Sequence, residues 1–201
     1  MKKKKLLAFL LAAAMVCQSS VVSFAQEPDG SGGTDITVQA DEAAEDVECR
    51  TYLEEEKTYN GLGDRYAVPD ADVDFVKDLS SMTITVSFKT TSDDLMALAA
   101  VNSSSHTNSY ISLYVTDGNT LGVELRDADQ NLNGGYTQNV GTFNDNEWHT
   151  ATFVIQEGVG YKLYFDQEMV REITDANTHC TGNMTWEPTS ATFGGANRIS
   201  G

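Results

Sequence analysis

Four side chains stand out for the chemistry they could do together: Tyr114, Glu124, Arg126 and Arg198. Glu124 and Arg126 sit two apart in Leu121-Gly122-Val123-Glu124-Leu125-Arg126-Asp127. Side chains on a strand alternate with period two, so this stretch sends Leu121, Val123 and Leu125 one way and Gly122, Glu124 and Arg126 the other. An acid and a guanidinium therefore share one face. A guanidinium is a planar fork that matches a carboxylate, a geometry that lysine does not offer. The bland alternative is an exposed ion pair on a solvated face, which is common and says little.

The preceding stretch, Asn108-Ser109-Tyr110-Ile111-Ser112-Leu113-Tyr114-Val115, alternates in the same way. Asp117-Gly118-Asn119 between the two is a hairpin signal. The two apolar faces must coincide, because a slip of one residue would turn every side chain over. That requires an odd loop near Gly118, read as three residues with a left-handed Asn119. It sets Ser112 opposite Glu124, Tyr110 opposite Arg126 and Tyr114 opposite Gly122, so Tyr114, Glu124 and Arg126 should share one sheet face.

The elements that must hold this face are mostly short strands. Met82, Ile84, Val86 and Phe88 alternate with Thr83, Thr85, Ser87 and Lys89, the pattern of a half-buried strand. Further strands are read at Leu95 to Val101, Tyr136 to Val140, Ala151 to Ile155 and Tyr161 to Phe165. Asn131 to Gly135 reads as a loop. Asp70 is read as the cap of one short helix holding Val73, Phe75, Val76 and Leu79, with Asp72 and Asp74 in its first turn. Many short strands at regular spacing predict an all-β, antiparallel two-sheet jelly-roll sandwich. Ala191 to Gly201 reads as a strand and loop whose closing partner does not follow, so a C-terminally truncated domain is expected.

The 201 residues carry a formal charge of −17, with 40% hydrophobic and 21% charged residues. Such acidity speaks against nucleic acid as a partner, since phosphates call for a basic surface. Residues 1–25 read as a signal peptide: Lys2 to Lys5, the apolar run Leu6 to Val16, and Ser23-Phe24-Ala25 as cleavage site. The run is short for a membrane span. Secretion or display at the cell surface is therefore expected, with no membrane insertion after processing. Residues 26–49 read as an acidic flexible leader, and 50–201 as the folded domain. Cys49 and Cys180 leave a disulfide open, because spacing cannot bring two sulfurs together. Asp127, Asp129 and Asn131 resemble calcium ligands superficially but lack the Glu of the EF-hand pattern, and His106, His149 and His179 have no metal-ligand spacing. No metal and no cofactor are expected.

Asp145-Asn146-Glu147-Trp148-His149 and Tyr161-Lys162-Leu163-Tyr164-Phe165-Asp166 resemble motifs of the laminin-G and concanavalin-like jelly rolls, with Gln167 where glycine is usual. Phe88-Lys89-Thr90-Thr91, then Leu121 to Asp127, then Gly194-Gly195-Ala196-Asn197-Arg198 are similar to the N-terminal sialic-acid-binding module of bacterial sialidases. The resemblance implies a non-catalytic lectin domain for terminal sialic acid. It implies that Arg126 and Arg198 bind the sugar carboxylate, that Glu124 accepts from sugar or amide groups and that Tyr114 packs on the ligand. It also implies sialylated glycans or glycoproteins such as mucins as partners, and a downstream catalytic domain, an exo-α-sialidase, in the parent protein. The alternatives are a laminin-G-like adhesion domain, or a glycosidase in its own right. The second would need two placed carboxylates, and neither a Glu-x-Asp-x-x-Glu pattern nor the Asp boxes of a sialidase propeller occur in the sequence.

Overall fold

The computed structural model describes residues 8–17, 49–52, 56–59, 64–105, 108–127 and 132–195, with the backbone alone for 8–17, 49 and 132–134. In chain order the elements are β1 (Ala8–Cys17), β2 (Cys49–Thr51), β3 (Lys57–Tyr59), β4 (Tyr66–Ala67), α1 (Asp70–Val73), β5 (Ser81–Thr90), β6 (Met96–Asn102), β7 (Tyr110–Thr116), β8 (Thr120–Asp127), β9 (Leu132–Asn139), β10 (His149–Gln156), β11 (Gly160–Phe165), β12 (Glu168–Thr174) and β13 (Ser190–Phe193). One sheet runs β12-β11-β10-β5-β1-β2, with β3 also paired to β1; the other runs β4-β13-β6-β7-β8-β9. Neighbours in both are antiparallel. This is the all-β two-sheet sandwich that the alternation predicts.

The inward side chains of the two sheets meet in one core. Met82, Ile84, Phe88, Phe153 and Ile155 from the first sheet face Ile111, Leu113, Leu121 and Val123 from the second, all buried to 1% exposure or less. Phe143 enters from the loop before β10 and packs edge-on against Phe88 at 5.7 Å. Each such side chain contributes about 1.5–3 kcal/mol by leaving water.

Three local expectations need correction. Asp70 is not the helix cap: Pro69 occupies that position without a side-chain hydrogen bond, and α1 ends at Val73 before a 3-10 turn over Asp74–Val76. Leu79 lies beyond both and is buried. Proline suits the entrance because its missing N–H would be unpaired there in any case, and Asp70 and Asp72 still sit in the first turn. The second correction concerns residues 132–135, read as a loop, which belong to β9 and pair with Asp127 to Glu124. Glycines weaken a strand, but a neighbour with a complete ladder can hold them in it. Finally, β6 starts at Met96, and Leu95 is 70% exposed.

The apolar run read as part of the signal peptide supplies β1, which pairs with β5 from Ala8↔Thr90 to Cys17↔Thr83 across a bulge between Leu11 and Met15. An unbroken apolar run is what a strand between two neighbours and a leader's hydrophobic stretch have in common. Cys180 is a free, buried thiol, so it makes no bridge to Cys49. Burial pushes its pKa up to about 12, which keeps it protonated and unreactive.

Candidate functional site

The β7–β8 hairpin has the register that the alternation requires: Tyr110↔Arg126, Ser112↔Glu124, Tyr114↔Gly122 and Thr116↔Thr120. Its loop has three residues, but the left-handed ones are Asp117 (φ 58°) and Gly118 (φ 68°), not Asn119. Asn119 N–H closes the turn onto the Thr116 carbonyl at 3.4 Å. Two successive positive φ values make a type I′ turn, whose twist suits the strands it joins.

The outward face of this sheet carries the three residues singled out from sequence. Arg126 and Glu124 lie side by side: Arg126 Nη2 and Nε donate to Glu124 Oε1 at 2.7 and 3.1 Å. Their side chains are 31% and 25% exposed, so the pair is reachable but partly shielded. The hydrogen bond to Glu124, foremost, holds the Arg126 pKa above its already high value. Its charge is thus permanent. A guanidinium carries five N–H donors in one plane. With Nε–H and one Nη2–H turned to Glu124, the Nη1–Nη2 edge lies on the far side, where a second carboxylate could be received in fork geometry.

Glycine shapes the space around the pair. The Tyr114 ring lies across Gly122, so closely that a Cβ at that position would stand 2.5 Å from Tyr114 Cε2 and 2.7 Å from its hydroxyl. Burial, and then the nearby Glu124 charge, raise the Tyr114 pKa, so its phenol is neutral and able to donate. On the other side of β8, Gly135 faces Glu124 and puts no side chain over it. An acid, a guanidinium and a phenol thus stand together on this face, with no side chain at positions 122 and 135 beside them.

Neighbours that sequence reading did not assign to the site hold it in place. Tyr110 is 3% exposed; its hydroxyl donates to Glu124 Oε2 at 2.9 Å, and the Arg126 guanidinium lies 5.7 Å from its ring centre. Asp127, fully buried, accepts from the Thr185 backbone N–H at 2.6 Å and from the Thr185 hydroxyl. Its carboxylate is therefore a structural anchor. Trp186, tied in by that anchor, donates Nε1–H to the Arg126 carbonyl at 3.1 Å. The alternation gave Tyr110's place opposite Arg126, but no local pattern links residues 185 and 186 to β8, some 58–60 positions away. Arg198, Asp129, Asn131 and His106 lie outside the described residues. Among the described residues no group of three or more His, Cys, Asp or Glu is arranged to hold a metal ion.

His149 lies elsewhere, at the start of β10. Its Nδ1 is 2.8 Å from Asp166 Oδ2 and its Nε2 3.2 Å from Asp145 Oδ1, and its ring stacks on Phe165 at 5.1 Å. The two contacts tie the Asp145 turn to the β11–β12 turn, where Asp166 and Gln167 take φ 47° and 71°. That explains the tolerated Gln167 in a place where glycine is easier. His179, the remaining described histidine, has a buried Nδ1 without a hydrogen-bond partner.

Residues 56–200 match the family model described as the N-terminal domain of sialidase. Among curated proteins none matches the chain. Solved structures do share its fold. The Ruminococcus gnavus IT-sialidase CBM40 bound to α2,3-sialyllactose is 22% identical over 68% of this chain and 76% of that one, with a TM-score of 0.60. The NanB sialidase of Streptococcus pneumoniae is 22% identical over 67% of this chain and 21% of its own, with a TM-score of 0.57. A leech intramolecular trans-sialidase is 20% identical over 68% and 21%, with a TM-score of 0.59.

Proposed function

From the premise that this chain belongs to the family of sialidase N-terminal domains, we propose that it is a non-catalytic carbohydrate-binding module for terminal sialic acid. The observation that carries the reading is the partly shielded Glu124–Arg126 pair beside the Tyr114 ring, which lies over Gly122. A sialic acid is a carboxylate on a polyhydroxylated ring. Arg126 meets the carboxylate with its outer edge, Glu124 accepts from hydroxyl or amide groups, and Tyr114 packs on the sugar. By motif position Arg198 is the second guanidinium. An acidic protein needs such local positive charge to receive an anion against its own field.

Support for the ligand comes from the Ruminococcus gnavus structures of the same fold, which hold α2,3- and α2,6-sialyllactose. A site for one sugar is weak: about millimolar affinity corresponds to roughly −4 kcal/mol. Retention on mucin-like surfaces then relies on many copies of the sugar or on a tethered enzyme. NanB and the leech enzyme carry this fold as 21% of a longer chain, which supports a downstream exo-α-sialidase domain in the parent protein. Export to the surface or medium rests on the Lys2 to Lys5 and Ser23-Phe24-Ala25 pattern, and the run between them pairs with β5 in the unprocessed chain.

Titration with 3′-sialyllactose against lactose tests the reading. Saturable binding of the sialoside alone, lost in Arg126→Ala and Arg198→Ala while both variants melt cooperatively, is expected. Equal binding of lactose, or full binding by Arg126→Ala, would overturn it.

A further inference from the structure

Tyr110 is close to fully buried, yet its hydroxyl ends on a charged pair that is only partly shielded. The strand that carries it is interior, with Tyr110 paired to Asn102 on one side and Arg126 on the other. Its backbone is thus held by two neighbours, and its ring is a fixed wall behind the guanidinium. The two oxygens of Glu124 have separate tasks. Oε1 accepts both Arg126 donors, at 3.1 and 2.7 Å, and Oε2 accepts the Tyr110 hydroxyl at 2.9 Å. A carboxylate fixed at one oxygen alone can still turn about its terminal torsion, which is broad. Fixed at both, it presents Oε1 in one direction and sets the plane of the guanidinium that leans on it. Tyr114 differs: it lies across Gly122 and is only half-buried, so a ligand can touch it.

We propose that Tyr110 is the positioning residue of this site: its hydroxyl locks the Glu124 carboxylate and, through it, aims the outer edge of Arg126 at an anionic sugar. The proposal rests on the sialic-acid reading for its ligand, but the positioning itself exists without one. Preorganising a long side chain lowers the cost of ordering it on binding. The same hydrogen bond spreads the Glu124 charge, which lessens repulsion toward an incoming carboxylate.

The test is Tyr110→Phe in the full chain, which keeps the ring and removes one oxygen. Without ligand, the Arg126 Nε–H signal in a nitrogen-15 spectrum is expected shifted and slow to exchange in the wild type, and near the free-arginine position with faster exchange in the variant. The dissociation constant for 3′-sialyllactose is expected to rise about three- to tenfold, the range for losing one hydrogen bond to a partly exposed charge. In a Glu124→Ala background the same substitution should leave the Arg126 Nε–H signal unchanged, since the group that it positions has gone. A thermal melt alone would not separate this from general stabilisation; the Nε–H signal does. An unchanged signal and unchanged affinity in Tyr110→Phe would overturn the proposal. A wild type that ignores sialyllactose while the signal still moves would leave the positioning standing and remove the sialic-acid reading.

Discussion

The two outward sheet faces follow the same alternation and have become different surfaces. On the β5–β10 face, hydroxyls pair with each other: Thr85 with Thr152 at 3.0 Å and Ser87 with Thr150 at 3.2 Å. Farther along, Lys162 meets Glu172 at 3.1 Å with both side chains about half in water, 45% and 50% exposed. Every row there carries a side chain. On the β7–β8–β9 face, Gly122 lies under the Tyr114 ring and Gly135 adds no side chain beside Glu124, and the Glu124–Arg126 pair is more shielded and braced from behind by Tyr110. An exposed pair such as Lys162–Glu172 contributes roughly 0–1 kcal/mol and attracts little. A partly shielded pair, in surroundings of lower dielectric, interacts more strongly with a second charge. The two faces are alike in polarity; they differ in the fixed, partly shielded guanidinium fork on which the proposed site rests.

The contrast can be broken at its most sensitive point. Gly122→Ala puts a methyl group into the Tyr114 ring, so the ring must swing away; affinity for sialyllactose should fall about tenfold or more, by the cost of overpacking. Unchanged affinity would mean that the placement of the Tyr114 ring has no part in binding. Asp127→Asn removes one acceptor from the Thr185 anchor and turns a donor toward another donor. A loss of about 1–3 kcal/mol in denaturant unfolding is expected, with a weaker effect on binding through Trp186.

On the opposite side of the molecule, the doubly bridged His149 sets a pH dependence. Burial by itself would lower its pKa, but the bonds to Asp166 and Asp145 outweigh that and raise it above the usual histidine value. Its contribution is therefore complete below about pH 6.5 and is lost as pH rises through the raised folded value. The Asp145 pKa is lowered, first by the Glu147 N–H and then by His149, so that contribution is present above about pH 4 and lost as pH falls below it. Melting temperature should pass through a maximum between these limits, and His149→Gln should flatten the alkaline side. The smallest effect belongs to the hydroxyl face. Replacing Thr85 and Thr152 together with valine removes both partners of one hydrogen bond, which should alter stability by less than about 1 kcal/mol and leave sialyllactose binding untouched.

Much of this was legible because period two is a strong constraint. Once Ile111, Leu113 and Val115 had to share a face with Leu121, Val123 and Leu125, the register followed, and with it the company of Tyr114, Glu124 and Arg126. What sequence could not supply was anything set by distance along the chain. Trp186 and Thr185 reach β8 only through the folded sandwich. Local detail also escaped: the turn put its left-handed residues at Asp117 and Gly118, since Asp tolerates that backbone too, and Pro69 displaced Asp70 as the helix entrance. Glycines 134 and 135 read as a loop because their compositional signal is a turn signal, whereas the neighbouring ladder holds them in β9.

The most direct test of the central claim is a residue-by-residue map of backbone amide shifts during titration with 3′-sialyllactose. Saturable shifts centred on Tyr110, Tyr114, Gly122, Glu124, Arg126 and Gly135, with Thr83 to Ser87 and Thr150 to Thr152 silent, are the predicted result. Shifts centred on the threonine face, or the same map with lactose, would contradict it.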